Sequence, residues 1–136
     1  MEDVESWPTG RLLSAAARMV ERRFDRFLTD LDLTHAGMIV LHHLEGGPLS
    51  QRELAHLCRV TDQTMSRTLE RLARTGHAAR TLDPQDRRRT LVALSEKGAE
   101  ALAAARAEER RFERDLGYEQ IRPQLIALIK KGSSIS

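Results

Sequence analysis

A chain of 136 residues is long enough for one domain with a single core. With 40% hydrophobic and 31% charged residues it has a soluble globular composition, and no apolar run reaches the length that a membrane span needs. A lone cysteine, Cys58, excludes an internal disulfide framework.

The acidic start Met1-Glu2-Asp3-Val4-Glu5 lacks the basic and apolar regions of a signal peptide, so a cytoplasmic location is expected. The net charge of +2 says little about partners, but its distribution says more. Residues 50–91 carry nine arginines against five acidic residues, a local +4, and the three lysines all lie elsewhere. Arginine's planar fork suits bidentate contacts to phosphate and guanine better than a lysine point charge does. A solvated arginine face is the competing explanation of the same charge.

In chain order, Pro8 is placed to open a first helix, where its missing N–H costs nothing. Leu12, Ala16, Val20, Phe24 and Leu28 then recur every fourth residue, flanked by Leu13, Ala17, Phe27 and Leu31, as one broad apolar stripe. Thr34 is a suitable N-cap for a second helix carrying Met38, Ile39, Leu41 and Leu44, stopped by Gly46-Gly47-Pro48. Ser50-Gln51-Arg52-Glu53 has the form of a capping box and opens a short helix presenting Leu54, Leu57 and Cys58.

A turn through Arg59-Val60 leads to Thr61, a second N-cap. The helix it starts turns Met65, Leu69 and Leu72 inward and ends at Gly76. Two short helices joined by a brief turn form a helix-turn-helix pattern. Beyond Gly76 the period shortens, and His77 to Leu82 and Thr90 to Leu94 read as two strands. Asp83-Pro84-Gln85-Asp86 and the arginine run join them. Ser95 caps a long alanine-rich helix to about Leu116, stopped by Gly117. A last helix runs from about Tyr118 to Lys131 with Ile121, Leu125 and Leu128 on one side and a frayed Gly132-Ser133-Ser134 end.

The segment from Ser50 to Gly98 resembles the MarR family of winged helix-turn-helix regulators. That family's wing has the form D-x-R, an alternating apolar strand, then L-S/T-x-x-G opening a helix. Here these are Asp86-Arg87-Arg88, Leu91-Val92-Ala93-Leu94 and Ser95-Glu96-Lys97-Gly98. The resemblance implies a mainly α fold with a small β-wing. Residues 34–94 would be the winged helix-turn-helix module and 95–116 a connecting helix. Residues 8–32 and 118–132 would be dimerisation helices that interlock two subunits, all within one domain spanning 1–136.

It also implies double-stranded operator DNA as partner, the helix from Thr61 to Thr75 in the major groove and the wing in the neighbouring minor groove. The DNA-contacting set would then be Ser50, Gln51, Thr61, Gln63, Thr64, Ser66, Arg67, Arg71 and Arg74, with Arg87, Arg88 and Arg89 at the wing. On the outward face Gln63 is suited to adenine and Arg67 to guanine or a phosphate, while Asp62 and Glu70 would orient nearby arginines.

Three consecutive arginines in an extended chain cannot all point one way. By resemblance Arg88 enters the minor groove and Asp86 fixes the wing by pairing with an arginine. A small aromatic or phenolic effector would bind near Arg18, Met38, His42 and Arg106. Cys58 continues the apolar face of Leu54 and reads as an inert core thiol. The five histidines form no ligand cluster, and no cofactor or metal is expected.

The expected function is a sequence-specific transcriptional regulator, a dimeric repressor relieved by an effector. An enzyme is disfavoured, since no nucleophile–base pair, metal set or phosphate-cradling loop is visible. A winged module that binds protein instead of DNA is the alternative. Against it stands the arginine wing, because a protein-docking surface is more apolar and less single-signed.

Overall fold

The computed structural model describes residues 3–135, which divide into two compact units, the first through Ala103 and the second from Ala104. After a short 3-10 turn at Val4–Ser6, α1 spans Thr9–Asp30. Pro8 stands one position before its first helical residue, as the N-cap, with extended backbone. Of the expected α1 stripe only Leu28 is buried in this chain, while Leu12, Leu13 and Met19 are exposed. The helix closes with the amide of Leu33 donating to the Leu28 carbonyl (2.9 Å) and Asp32 in the left-handed region (φ 59°), a conformation that aspartate tolerates better than most residues.

Thr34 caps α2, His35–Leu44, its hydroxyl oxygen accepting from the Gly37 amide at 3.0 Å. Gly37, Met38, Val40, Leu41 and Leu44 are buried along this helix. Ile39 is exposed because it falls on the side opposite Val40, Leu41 and Leu44. The chain then leaves the helix through Gly46-Gly47-Pro48 into a strand that the sequence pattern did not signal. This β1 is only Leu49–Ser50, too short to show an alternation.

Ser50 then caps α3, Gln51–Cys58, by accepting from the Glu53 amide (3.0 Å). Only this half of the capping box forms, since the Glu53 carboxylate is engaged with Arg89. Leu54 and Ala55 are buried and Cys58 half-buried on one side of α3. Leu57, expected with them, lies off that side and is 48% exposed. Thr61 caps α4, Asp62–Thr75, through the Thr64 amide (3.1 Å), and Met65, Leu69 and Leu72 are buried as expected.

The hairpin consists of β2, Ala78–Asp83, and β3, Asp86–Leu94, in an antiparallel sheet ordered β1-β3-β2. The arginine run, expected in the connection, lies inside β3, and the turn is Pro84-Gln85 alone. Pairing is regular from Ala78↔Leu94 to Leu82↔Thr90 and then jumps to Asp83↔Asp86, leaving Arg87, Arg88 and Arg89 outside the ladder. Such a bulge twists and re-aims a strand.

One junction joins these pieces. Gly76 adopts φ 83°, ending α4, and the His77 amide donates back to Leu72 at 2.9 Å. Ser95 donates its amide to the His77 carbonyl (3.1 Å) and its hydroxyl to the Gly76 carbonyl (2.6 Å), and its oxygen accepts from the Gly98 amide (3.0 Å). Lys97 reaches the Thr75 carbonyl at 2.6 Å. Ser95 thereby starts α5, Glu96–Leu116, directly against the end of α4. The approach is so close that a Cβ on Gly98 would overlap the His77 carbonyl oxygen and lie 2.8 Å from Leu94 Cδ1.

His77 itself is 1% exposed, its Nδ1 2.7 Å from the Thr75 hydroxyl. Burial and the Lys97 charge hold its pKa below the ordinary histidine value. Asp32 and a hydrogen bond with the Leu31 backbone pull the other way and do not prevail.

In the second unit α5 ends at Gly117 (φ 67°). A 3-10 turn, Tyr118–Ile121, then precedes α6, Arg122–Ile135. The last α-helix therefore begins four residues later than expected, with Pro123 harmlessly in its first turn. It also continues through Gly132-Ser133-Ser134 instead of fraying there. Ile126, Leu128 and Ile129 on α6 are exposed. Among the described residues no helix is long and apolar enough to cross a membrane.

Two outcomes follow from the junction. Gly98→Ala should destabilise the protein toward the upper end of the about 1–3 kcal/mol typical of overpacking, because the clash is with backbone. Urea denaturation of the two proteins side by side measures it. Stability should also fall as the pH drops below about 6.5, where the unfolded chain takes up a proton that buried His77 refuses, and level off below the folded-state pKa. The same denaturation at pH 7.5 and 5.5 checks this, and His77→Gln should remove that part of the difference.

Candidate DNA-binding surface

Helical periodicity sorts the side chains of α4. Gln63, Arg67, Glu70, Arg71 and Arg74 share one exposed stripe, opposite buried Met65, Leu69 and Leu72. Thr64 is exposed at the stripe's edge. Thr61 is exposed as well, but its hydroxyl is engaged as the cap and with the Thr64 hydroxyl at 3.1 Å. Ser66 is only half-exposed. Arg71 leans away from the stripe's centre, its guanidinium 3.9 Å from Asp32 in the α1–α2 connection. Asp62, expected to orient an arginine, instead occupies the first turn of α4, where a carboxylate meets the positive end of the helix.

The N-terminus of α3 contributes less than expected. Gln51 is half-buried, and Ser50 is 4% exposed with its hydroxyl serving the cap. Between this end of α3, the start of α4 and the wing runs a groove of about 1130 Å³, lined by Gln51, Arg52, His56 and Asp62 on the helices and by Asp86, Arg88 and Thr90 on the wing. Glu53 and Arg89 face each other across it. Sequence patterning assigned Glu53 to the cap alone, because the partner that draws it away lies 36 residues further along the chain.

The three wing arginines behave differently. Arg87 is exposed. Arg88 is almost fully open, with 93% of its side chain accessible, and it is held at its base by Asp86. One carboxylate oxygen of Asp86 accepts from the Arg88 amide (3.1 Å) and from its Nε (3.2 Å). Arg89 is exposed as well, but it is paired. Its guanidinium pairs with Glu53 and lies 3.9 Å from Asp83, whose side chain is largely buried.

This arrangement of a short helix pair, an exposed arginine stripe and an arginine-bearing hairpin was compared with known proteins. The MarR family model matches residues 31–89. The uncharacterized HTH-type transcriptional regulator YdcH of Bacillus subtilis (strain 168) is 30% identical over 101 residues, which cover 71% of this chain and 69% of YdcH. The chain belongs to the MarR family. It is a winged helix-turn-helix transcriptional regulator.

Solved structures agree in fold. The crystal structure of MarR has a TM-score of 0.70 and 31% identity over 94% of this chain and 93% of its own. The complex of Staphylococcus aureus MepR with DNA has a TM-score of 0.78 and 23% identity over 96% of this chain and all of MepR.

The residues expected around an effector do not gather in the first unit. Met38 is buried in the core, Arg18 is exposed and donates to the Ser14 hydroxyl (2.6 Å), and His42 is exposed with its ring edge-on to His43. Arg106 belongs to the second unit, half-buried on α5. A concavity of about 320 Å³ between α1, the α1–α2 connection and Arg71 has none of Arg18, Met38 or His42 in its lining. Cys58 is half-buried, and burial pushes its thiol pKa up, so the less reactive protonated form is favoured.

Proposed function

We propose that this MarR-family regulator is a dimeric repressor that binds a pseudo-palindromic operator, with α4 in the major groove, and that a small aromatic or phenolic molecule relieves the binding. The observation that carries the DNA half is the pairing of two exposed cationic features on one module. Gln63, Arg67 and Arg74 project from α4 away from its buried side, and Arg88 projects almost fully accessible from the wing. A helix of this kind reads base edges from residues near its N-terminus, whereas a wing arginine draws on the minor groove's potential and the phosphates.

The DNA complex of MepR, which shares this fold, supports the same reading. Exposed Leu12, Leu13 and Met19 on α1 and Ile126, Leu128 and Ile129 on α6 support dimerisation, since apolar stripes of this size mark partner surfaces. A two-fold dimer presents two α4 helices, so half-site centres should lie about 10 bp apart. The effector half of the proposal rests on the family likeness and on no cavity of the first unit.

Gel-shift titration on the DNA flanking the gene, against a scrambled duplex and at several salt concentrations, tests the division of labour. Arg88→Ala should weaken both duplexes and flatten the log–log salt dependence by about one unit for each phosphate that a subunit ceases to touch. Arg67→Ala should cost about 1–3 kcal/mol per half-site on the operator and relax preference at one position. Unchanged affinity of Arg88→Ala for scrambled DNA would contradict the wing's electrostatic role. Equal weakening of both duplexes by Arg67→Ala would make Arg67 a phosphate clamp and leave Gln63 or Thr64 as the base reader.

A further inference from the structure

The hairpin has least backbone support where its charge is greatest. Arg87, Arg88 and Arg89 fall in the stretch of β3 that loses its ladder to β2, and regular pairing resumes only at Thr90. Something other than backbone hydrogen bonds must hold this stretch at a fixed distance from α3. Arg89 is the residue in position to do so. It stands immediately before the ladder resumes, and its guanidinium faces two carboxylates from two different elements, Glu53 of α3 and Asp83 of β2.

We infer that Arg89 is a positioning residue that sets the wing against α3, with Glu53 as its essential partner, and is not itself a contact to DNA. A planar guanidinium suits this task because its fork presents donors in several fixed directions, so one side chain can serve both carboxylates. The arrangement also accounts for Glu53. A free carboxylate in the groove between α3 and the wing would repel a phosphate backbone, and Arg89 neutralises it in place.

Arg88, by contrast, is tied among the described residues to Asp86 two residues away, which aims the side chain without anchoring the wing to another element. The two ion pairs of the wing thus divide the work. Asp86–Arg88 directs a cation outward, and Glu53–Arg89–Asp83 fixes the base from which it projects.

The functional side of this inference rests on the DNA-binding reading, but the clamp can be measured without DNA. Nitroxide labels at His56→Cys on α3 and Gln85→Cys at the wing turn, in a Cys58→Ser background diluted with unlabelled protein, report the distance across the groove by pulsed electron resonance. Arg89→Gln and Glu53→Gln should each broaden the distance distribution. Unaltered widths in both single variants would overturn the clamp.

On operator DNA, Arg89→Gln should weaken binding roughly twofold to fivefold, the range for a partly exposed pair, with the salt slope unchanged. Glu53→Gln should weaken it in the same sense. Removing an acid from the groove would by simple electrostatics tighten binding, so the sign discriminates. Tighter binding by Glu53→Gln, or a salt slope lowered by about one per subunit in Arg89→Gln, would overturn the inference. Failure of the unaltered protein to bind any duplex at low salt would instead defeat the DNA-binding reading, and the distance measurement would still decide the clamp.

Discussion

The structure depends on how closely the start of α5 approaches the end of α4. Gly98 lies against the His77 carbonyl with no room for a Cβ, and Ser95 ties the two backbones with bonds to Gly76 and His77. Because β2 begins one residue after His77 and α5 one residue after Ser95, a single anchor fixes the end of the helix proposed to read DNA, the root of the wing and the start of the connecting helix. A side chain at position 98 would meet the His77 carbonyl and Leu94 and push that anchor apart. The glycine in L-S/T-x-x-G is therefore explained by steric contact, not by backbone freedom.

From that anchor outward, order passes from backbone to side chains. Near its root the hairpin is held by regular pairing, and β1 adds a third strand beside β3. Toward the tip the ladder fails, and carboxylates take over the positioning of the arginines. This resolves the presence of acids in a basic segment. Asp83, Asp86 and Glu53 each lie beside an arginine of the wing, so these three of the segment's five acids organise its cations more than they dilute them. Exposed ion pairs add little to stability, and their value here is geometric.

Much of the fold was legible because its signals are local. Thr34, Ser50, Thr61 and Ser95 all cap helices where the sequence placed them, and Gly76 and Gly117 end helices in the left-handed conformation. The inward set Met65, Leu69 and Leu72 followed from period alone. Features set by distant partners were not legible. Two residues of β1 exist as a strand only through Val92 and Leu91. Glu53 left the capping box for a partner 36 residues away, and the arginine run, expected in the connection, became part of β3. Leu57 was misplaced because, over one or two turns, an apolar run does not determine which side of a helix faces the core.

The central claim is that α4 and the wing share one rigid anchor at Gly76–His77 and Ser95–Gly98. Native-state amide hydrogen exchange followed by NMR tests it residue by residue. The amides of His77, Ser95 and Gly98 should exchange only through global unfolding, with protection equal to that of buried α4 residues such as Leu69 and far above that of Arg88 at the bulge. If those three amides instead opened with the free energy of the wing tip, while α4 stayed protected, the helix and the wing would be separate mobile units and the account would be wrong.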